Sequence, residues 1–526
     1  MNRHKDLVAQ ISSQVRALYL SRLPFRINHG STNSTRPPKS SSPISPALID
    51  ISPLNNILTI DPVSKTAVIE PNVPMDALVS QTLKHNLVPP VVMEFPGITA
   101  GGGFAGTAGE SSSFKHGFWD DTVSSVEMIL GDGRIVEASP DPSNQFSDLF
   151  HGAAGAVGTL GITTLLKVNL IDALPFVKTT YTRTSSVSST ISHIRSTASP
   201  DNPPSKTPDF VDGILFSPTH GVAISGTMVS SLPSSSPSSP SATPKPQTFS
   251  ARSDPWFYLH VQSHTSPLPP RSAHVEYIPL AEYLFRYDRG GFWVGRHGFS
   301  YFHHFPFNRV TRFLLDDFLH TRMLYRALHG SGESRRFVVQ DLALPYSTAR
   351  EFISHASASL GIWPLWLCPL KQRPPPTFHP HTSIAEPDPS SPGRERPQQM
   401  LNIGVWGRGP SSPSRFVSAN RSLERKLREL GGRKWFYAHT YYSGEEFWQL
   451  YDKPWYDALR EKYNATTLPT VYDKVKVDVS KKEEEEKGWR NWVKEIRPIG
   501  GMVGIWKSIK SKDYMLHRHA EWKYKE

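Results

Sequence analysis

Cysteine is almost missing from this chain, which has 526 residues and Cys368 as its only thiol. A lone cysteine excludes a disulfide within the chain and any metal site built from clustered cysteines. It suits a reducing compartment, because disulfides form and persist mainly where conditions are oxidising. From this absence we expect an intracellular protein.

Long apolar runs are missing as well. No stretch reaches the roughly 18 apolar residues that mark a membrane-spanning helix, and residues 1–20 contain no apolar core of a secretory signal peptide. We therefore expect no transmembrane segment and only a peripheral contact with any membrane. Residues 6–19 have the spacing of an amphipathic helix, which fits either a membrane surface or packing on the domain that follows. We favour packing.

A nucleic-acid-binding motif is also missing, although the formal net charge is +11. The basic residues do not form one compact block in a recognisable binding motif. The positive charge therefore points to an anionic cofactor or an anionic membrane rather than to nucleic acid.

What the chain does have is a dense run of glycine and other small residues at residues 97–109. Glycine costs backbone entropy, so such a run needs a reason, and one reason is a ligand that lies against bare main chain. The peptide N–H groups of such a loop can cradle a pyrophosphate. The alternative is a merely structural or flexible loop, and we favour the phosphate-binding interpretation.

The pattern GxGxxG occurs in this run at Gly101, Gly103 and Gly106, but it does not indicate a Rossmann site. That motif must follow a strand directly and open a helix. Here prolines precede the pattern, and the residues after Gly106 show no helical period of apolar residues. We therefore predict a loop.

Short strands and turns surround this loop. Residues 48–69 read as short β-runs, and residues 131–133, Gly-Asp-Gly, predict a tight hairpin. A second glycine-dense loop at residues 155–161 leads into a strand of alternating apolar residues. The sequence thus predicts an α+β domain over residues 1–173, with the two glycine loops converging on whatever it binds.

The rest of the chain predicts a second domain and a C-terminal segment. We expect the second domain over residues 174–442 and a helical segment over residues 443–526 that packs back on the first domain. Low-complexity insertions rich in proline and serine lie at residues 230–250 and 373–399. Such composition favours disorder, and we expect no chemistry in either insertion.

Residues 283–307 are the most aromatic part of the chain. Clustered rings fit a large apolar pocket or a lipid-facing surface, and they fit a ring-packed core equally well. His297, His303 and His304 raise the question of a metal site. No carboxylate stands at an ordered spacing to complete a ligand set, so we expect no metal.

Four segments carry a resemblance to a known family: residues 70–91 (EPNVPMDALVSQTLKHNLVPPV), 99–121 (TAGGGFAGTAGESSSFKHGFWDD), 130–139 (LGDGRIVEAS) and 158–170 (GTLGITTLLKVNL). They resemble the FAD-dependent oxidoreductases of the vanillyl-alcohol oxidase/p-cresol methylhydroxylase type, and within them the delta-24-sterol reductase group. Shorter segments such as RYDRGGFW, QDLALP and HTYYSGEEFWQLYD extend the similarity over most of the chain outside the insertions.

The resemblance implies an α+β fold, with an FAD-binding domain of two small sheets and helices followed by an α+β cap domain. It implies FAD held without a covalent bond, because His29 does not follow a Gly-Gly pair and Cys368 lies outside the flavin loops. The residues implied to hold FAD are Gly30, Ser31, Thr32, Asn33, Thr99, Ala100, Gly101, Gly102, Gly103, Phe104, Ala105, Gly106, Thr107, Ala108, Gly109, Glu110, Ser111, Gly158, Gly161, Ile162 and Thr163.

The implied reaction is reduction of the delta-24 C=C bond of a sterol side chain, with NADPH as electron donor. Such a reaction needs a hydride, a proton and a dry cavity, and residues 283–307 are our candidate for the sterol cavity. Residues 435–442, WFYAHTYY, predict a strand that places His439 and Tyr441 on one face. These two side chains are candidate proton donors, with Asp288 and Arg289 as residues that orient them.

The resemblance also bears on partners and location. It implies a sterol or another hydrophobic small molecule as substrate, and a protein that is cytoplasmic or peripherally associated with the endoplasmic reticulum membrane. Two alternatives stay open. One is an FAD-linked oxidase or dehydrogenase of an alcohol or other small substrate; the other is a peripheral lipid-binding protein with a vestigial flavin site.

Overall fold

The computed structural model describes residues 2–30, 47–233, 245–301, 305–331, 333–389, 391, 393–477 and 499–525. Some predictions lie outside these residues. They concern Ser31, Thr32 and Asn33 of the first loop, the candidate metal ligands His303 and His304, and most of the first low-complexity insertion.

The first 172 residues form short helices and strands in the order α1 (Asn2–Leu20), β1 (Phe25–Asn28), β2 (Ala47–Asp50), β3 (Ile57–Asp61), β4 (Thr66–Ile69), α2 (Met75–Leu83), β5 (Leu87–Val88), α3 (Ala100–Gly106), α4 (Ser113–His116), β6 (Val123–Leu130), β7 (Ile135–Ala138), α5 (Ser147–Ala153), β8 (Gly161–Asn169) and β9 (Ile171–Asp172). Strands β3, β4, β8, β6 and β7 form an antiparallel five-stranded sheet in that spatial order. Two small sheets, β1–β2 and β5–β9, accompany it.

Helix α1 packs on this first sheet, as predicted. Val8, Ile11 and Val15 are buried on one face of the helix, which follows from their 3.6-residue spacing. The ring of His4 fixes the start of the helix, because its Nδ1 lies 2.9 Å from Glu70 and its Nε2 lies 3.1 Å from Glu127. The alternative of a membrane-surface helix is therefore wrong for this segment.

The second part of the chain follows in the order β10 (Phe176–Thr184), α6 (Val187–Thr197), β11 (Phe210–Ser217), β12 (His220–Val229), α7 (Phe257–Thr265), β13 (Ala273–Pro279), α8 (Leu280–Leu284), α9 (Gly295–Tyr301), α10 (Arg309–Leu314), α11 (Thr321–Ser331), β14 (Phe337–Pro345), α12 (Tyr346–Leu360), β15 (Leu365–Leu370), β16 (Ala385–Pro387), β17 (Glu395–Pro397), β18 (Met400–Arg408), α13 (Pro413–Glu429) and β19 (Arg433–Lys434). The chain closes with α14 (Gly444–Trp448), α15 (Lys453–Lys462), α16 (Val471–Val475), α17 (Ile499–Ser511) and α18 (Asp513–Arg518). Short 3₁₀ helices lie at Trp119–Thr122, Pro204–Lys206, Asp316–Phe318 and Glu333–Arg336.

An antiparallel eight-stranded sheet organises this second part, in the spatial order β13-β10-β12-β11-β15-β18-β14-β19; we call it the cap sheet. Its outer face carries aliphatic side chains such as Leu342, Leu367 and Ile403, which pack with helices α6, α12 and α13. Its inner face carries Asp212 of β11 and turns to the first part of the chain, because Nη2 of Arg286 lies within 3.1 Å of both Asp212 and Glu94. The predicted α+β architecture, a first domain of small sheets and helices followed by an α+β cap, is confirmed.

Two local predictions need correction. The glycine run is not a loop throughout, because residues 100–106 form α3, whose first turn is capped by Thr99. Residues 435–442 are not a strand, since β19 ends at Lys434. In the C-terminal segment, α14 and α15 are separate helices, and Asp452 caps the second of them.

The second low-complexity insertion is ordered in part, contrary to expectation. Its strands β16 and β17 form a small antiparallel pair. His379 is fully buried, and its Nε2 lies 2.8 Å from Asp120, which also accepts from Arg373 at 2.5 Å. These contacts anchor the insertion to the first 172 residues, which we call the FAD-binding segment. They also hold the pKa of Asp120 below its usual range, against the effect of burial.

Among the helices that the structure describes, none combines the length and the apolar content needed to cross a lipid bilayer.

Candidate functional site

Three backbone segments that are far apart in sequence meet beside α3. The N–H of Val157 donates to the carbonyl of Ala105 at 2.8 Å, and the N–H of Gly155 donates to that of Phe104 at 3.0 Å. A Cβ added to Gly158 would lie 3.2 Å from Ile27 in β1, so the first loop reaches the same place. The predicted convergence of the two glycine-dense segments is confirmed.

Backbone strain concentrates where these segments meet. Thr107 and Val157 have φ angles of 58° and 48°, although β-branched residues rarely adopt positive φ. Such strain persists only where the surrounding structure enforces it, and it often marks a functional site. Gly158 and Gly161 also have positive φ, at 69° and 151°, which a side chain would resist.

The glycines of α3 have different surroundings. A Cβ at Gly101 would lie 2.6 Å from Pro71, and one at Gly103 would lie 2.6 Å from Met93, so these two glycines permit close packing. A Cβ at Gly106 would meet nothing within 4 Å. Gly106 therefore leaves main chain bare beside an opening, which is the arrangement that a bound ligand requires.

A lysine from the C-terminal part completes this region. Nζ of Lys474 in α16 donates to the carbonyl of Val157 at 2.5 Å. Burial lowers the pKa of His29, and the charge of Lys474 lowers it further. A positive charge thus lies at the meeting point of the first loop and the second glycine segment, where it suits an anionic group.

The predicted FAD-binding residues that the structure describes occupy five places. Gly30 follows β1, residues 99–106 form α3 and its cap, residues 107–111 lead into α4, and Gly158 lies in the turn before β8. Gly161, Ile162 and Thr163 begin β8, where Gly161 pairs with Leu130 and Ile162 with Ile129.

A buried ionic cluster joins the FAD-binding segment to the inner face of the cap sheet. Nη2 of Arg286 lies 3.1 Å from Glu94 and 3.0 Å from Asp212, so one guanidinium serves two carboxylates. Asp212 also accepts from Tyr287 at 2.7 Å, and Glu94 accepts from Ser111 at 2.8 Å. Within the described residues, Oε2 of Glu94 and Oδ1 of Asp212 have no hydrogen-bond partner.

Burial disfavours the charged forms of Glu94 and of its neighbour Glu110. Desolvation raises the pKa of Glu94 to about 7, against the opposing charge of Arg286. Desolvation and then the charge of Glu94 raise the pKa of Glu110 well above its usual range. A carboxyl group in this setting holds a proton at neutral pH, and it can act as a general acid.

A second buried carboxyl group lies on the same face of the cap sheet. Asp341 in β14 accepts from Asn402 at 2.7 Å, from Trp406 at 3.0 Å and from the hydroxyl of Tyr437. Desolvation raises the pKa of Asp341 to about 6, although these donors oppose the shift. Asp341 and Tyr437 therefore form a hydrogen-bonded pair in a water-poor setting, where Asp341 takes up a proton more readily than an ordinary aspartate does.

The candidate donors His439 and Tyr441 share one small cavity with Tyr325 and Gln340, and the Tyr441 ring packs in the outer-face cluster. The carbonyl of His439 accepts from Gln340 at 3.2 Å, and burial raises the pKa of Tyr441 above its usual range. Oε1 of Gln340 has no hydrogen-bond partner within the described residues. The structure thus brings His439 and Tyr441 together at a cavity, although not through the predicted strand.

Asp288 and Arg289 have other neighbours. Asp288 lies 2.6 Å from Nδ1 of His320, and Arg289 donates to Asp316 at 2.8 Å and to the carbonyl of Asp254 at 2.9 Å. These contacts tie residues 249–255 to residues 316–321. The sequence predicts that Asp288 and Arg289 orient His439 and Tyr441. Their described contacts are with other residues, so the structure does not bring these two pairs together.

Asp288, His320 and His517 form a compact group whose ligand atoms all lie within 4.8 Å of one another. The Nδ1 of His320 faces Asp288, and its Nε2 lies 3.4 Å from Asp316. These carboxylates raise the pKa of His320 against the effect of burial. Since both ring nitrogens face carboxylates, the geometry is that of an imidazolium in an ion-pair network.

The aromatic segment at residues 283–307 packs as a core. The rings of Tyr287 and Phe292 stack with centroids 4.0 Å apart, and Phe292 meets Trp406 edge to face at 4.4 Å. Nε1 of Trp293 donates to the carbonyl of Trp406 at 2.9 Å. Of the two interpretations of this segment, the contacts support the ring-packed core.

Comparison with known proteins adds to this geometry. Residues 7–139, which include the first loop and α3, match the family described as FAD binding domain. This part of the chain is therefore an FAD-binding domain of that family. It is similar to the Delta(24)-sterol reductase of Arabidopsis thaliana, with 29% identity over 443 residues, which are 81% of this chain and 76% of that protein. It is also similar to the Delta(24)-sterol reductase of Homo sapiens, with 27% identity over 430 residues, covering 80% and 76% of the two chains. The Delta(24)-sterol reductase homolog of Caenorhabditis elegans is 24% identical over 434 residues, covering 80% and 77%.

The residues that meet beside α3 fit an FAD cofactor. Bare main chain at Gly106 faces an opening, and strained residues on both sides of that opening hold it in shape. Lys474 supplies a positive charge where the segments meet, as a diphosphate requires. The sequence did not reveal Lys474, because no local motif links residue 474 to the glycine segments.

Sequence reasoning also missed Glu94, Asp212, Arg286 and Asp341. Three of them had a signal in the sequence, because each is a lone carboxylate within an apolar run: VVMEFPG, FVDGILF and FVVQDLALP. A charged residue at a buried position must be paired, and it therefore marks a polar network.

Proposed function

We propose that this FAD-binding oxidoreductase reduces a C=C bond in the side chain of a sterol, with NADPH as electron donor. The observation that carries the proposal is the similarity to proteins named Delta(24)-sterol reductase over about four-fifths of the chain, cap sheet included. The buried carboxyl groups on the inner face of the cap sheet support it, because reduction of a C=C bond consumes a proton.

FAD would be held without a covalent bond by residues 99–111, by Gly30 and the residues after it, and by residues 158–163, with Lys474 beside the diphosphate. When bound, FAD supplies the carrier that takes a hydride from NADPH and passes it on. The glycines let the backbone approach the cofactor, and the strained Thr107 and Val157 fix the opening before binding. Preorganisation of this kind reduces the entropy cost of binding.

The protein's own contribution to the reaction is a proton held in a dry setting. Asp341 would hold it with Tyr437, and Glu94 would hold a second one at the far end of the same face. His439 and Tyr441 remain predicted donors, since they line the cavity beside Gln340. Ring packing around Phe292 and Trp406 excludes water from this face.

The test is anaerobic. Purified protein loaded with FAD is mixed with NADPH, and bleaching of the flavin spectrum is followed; a panel of delta-24 sterols is then added and the products are analysed by mass. We expect bleaching by NADPH, recovery of colour on adding sterol, and a product two mass units heavier. An unbleached flavin would refute the reductase, and bleaching by alcohols instead would indicate an oxidase or dehydrogenase. Failure to take up FAD would indicate a vestigial site.

A further inference from the structure

Large apolar side chains are exposed in two short segments of this molecule. Of the described residues, half of the large hydrophobic side chains that face solvent lie in residues 305–314 and 502–516. Within these two segments, the most exposed side chains are Leu314 at 68%, Val310 at 66% and Met502 at 61%. Single exposed apolar side chains are ordinary, whereas a concentration of them marks an interaction surface.

The two segments belong to one surface. The N–H of Gly501 in α17 donates at 3.1 Å to the hydroxyl of Tyr301, at the end of α9. Arg518 in α18 donates to Asp317 at 2.5 Å, so the helix that carries Leu516 lies beside the residues that follow Leu314. Helix α17 therefore starts beside the end of α9 and packs along α11, and α18 lies beside the 3₁₀ turn that follows α10. We call residues 305–314 and 502–516 together the basic apolar face.

Helix α17 exposes its large apolar side chains to solvent and buries its small residues, unlike an ordinary surface helix of a soluble protein. Its small residues are inside: a Cβ at Gly504 would lie 2.6 Å from the carbonyl of Ala327, and Ser508 bonds the carbonyl of Met323. Its large residues are outside, in the i, i+4, i+7 order of one helical face: Met502, Trp506 and Ile509. Amphipathic surface helices normally bury such side chains.

Positive charge surrounds these apolar side chains. Lys507, Lys510 and Lys512 are exposed on or beside α17, and Nζ of Lys510 lies 5.4 Å from the centre of the Trp506 ring. The nearby carboxylates are already neutralised, because Asp317 pairs with Arg518 and Asp513 pairs with Arg326. Among the residues that the structure describes, the surface therefore offers lysines without a paired carboxylate next to tryptophan and aliphatic side chains.

We propose that the basic apolar face docks on an anionic lipid bilayer, with Trp506 and its apolar neighbours in the headgroup–acyl boundary and the lysines against lipid phosphates. Charge complementarity selects this partner, because a helix with lysines flanking tryptophan and aliphatic residues has the composition of an interfacial membrane helix. Tryptophan prefers that depth in a bilayer. The proposal does not depend on the reaction, although a sterol substrate would be available at the same surface.

The experiment uses the full chain loaded with FAD and floats it with vesicles of phosphatidylcholine, with or without phosphatidylserine. Parent protein should float with the anionic vesicles. Replacing Lys507, Lys510 and Lys512 by Gln should weaken binding about a hundredfold, since each basic residue near an anionic surface contributes about fivefold. Met502→Ser with Trp506→Ser should weaken it at least tenfold on the scale of side-chain burial.

Matched controls are available elsewhere on the molecule. Lys167, Lys178 and Lys206 are exposed and distant in sequence, so their replacement by Gln removes the same charge. Val63 is 94% exposed and Ile135 is 45% exposed, so replacing both by Ser removes comparable apolar surface. Both control variants should float like the parent protein.

Equal flotation of the parent, the test variants and the controls would overturn the proposal. So would self-association without vesicles that Trp506→Ser abolishes, because the face would then bind a second copy of this chain. Should a serine variant fail to fold, Trp506→Phe gives an independent measurement. Brominated lipid should quench the tryptophan fluorescence of the parent more than that of Trp506→Phe, and equal quenching would refute insertion at this face.

Discussion

Glu94 and Arg286 bring opposite charges from two parts of the chain to within 3.1 Å, with both side chains buried. Glu94 belongs to the FAD-binding segment, and Arg286 lies against the inner face of the cap sheet. The same guanidinium also serves Asp212, so the cluster contains two carboxylates for one cation. Burial is the main cause of the raised pKa of Glu94, and the charge of Asp212 raises it further against the opposing charge of Arg286.

The first prediction concerns the pH dependence of stability. Burial raises the pKa of Glu94 from 4.5 to about 7, so the folded state binds this proton more tightly than the unfolded state does. The stabilisation of the fold by this proton is fully present below pH 4.5 and is lost as the pH rises towards 7. Its size is on the order of 3 kcal/mol, since one pKa unit corresponds to about 1.4 kcal/mol. Glu94→Gln should remove this dependence in urea unfolding measured across the range. Glu137→Gln, at an exposed position, serves as the control, and a pH slope in Glu94→Gln equal to that of the parent would refute the assignment.

The second prediction separates the two halves of the proposed reaction. Asp341→Asn keeps the volume of the side chain and removes its exchangeable proton. We expect the half-reaction that consumes the sterol to slow about a hundredfold, the usual range for loss of a general acid. The half-reaction that consumes NADPH should change little, because it needs no proton from this pair. Stopped-flow spectroscopy measures both.

Three variants serve as controls for Asp341. Tyr437→Phe should slow the sterol half-reaction in the same direction, because its hydroxyl bonds Asp341. His439→Gln and Tyr441→Phe test the donors that the sequence predicts. If either of these slows the sterol half-reaction more than Asp341→Asn does, the proton comes from that residue. Equal slowing of both half-reactions in Asp341→Asn would assign Asp341 a merely structural role.

Much of the fold could be predicted from the sequence, because its signals are local. Strand β8 alternates buried Leu166 and Val168 with exposed Lys167, as its period of two requires. The buried charges could not be paired in the same way, because their partners are distant in sequence. Asp212 and Arg286 are separated by 74 residues, and Val157 and Lys474 by 317. Only the folded chain shows which carboxylate meets which cation.

Two local errors have the same origin. Glycine disfavours helices, and the run at residues 97–109 therefore predicted a loop. Packing of Gly101 and Gly103 against Pro71 and Met93, together with the Thr99 cap, overrides that preference and forms α3. Residues 435–442 have the composition of a strand, yet their side chains bond to the cap sheet instead. The indole of Trp435 donates to Asn402 at 2.7 Å, and the Tyr437 hydroxyl donates to Asp341.

The third prediction concerns the group formed by Asp288, His320 and Asp316. The pKa of His320 is raised above 6.5, so its ion pairs stabilise the fold below pH 6.5, and this stabilisation is lost as the pH rises through the folded-state pKa. His320→Gln should lower the free energy of unfolding by about 3 kcal/mol near pH 6, since it leaves a buried carboxylate uncompensated. The difference from the parent should shrink in alkaline buffer.

Thermal melts at several pH values measure this effect, with the exposed His85→Gln as control. A chelator distinguishes the ion-pair network from a metal centre. Treatment with EDTA should leave the melting temperature of the parent unchanged. A drop in the parent that is absent from His320→Gln would show that these residues hold a metal ion.

The fourth prediction uses two glycines of the same short helix. A methyl group at Gly103 would lie 2.6 Å from Met93 and 2.8 Å from Trp119, whereas one at Gly106 would meet no protein atom within 4 Å. Gly103→Ala should therefore destabilise the apoprotein by about 1–3 kcal/mol through overpacking. Gly106→Ala should leave the apoprotein as stable as the parent or slightly more so, because alanine favours a helix. If FAD occupies the opening beside Gly106, that methyl group should weaken FAD binding at least tenfold. Melting of the apoprotein and titration with FAD give the two quantities separately. Unchanged FAD affinity in Gly106→Ala would show that FAD does not bind beside α3, whatever the stability of the variant.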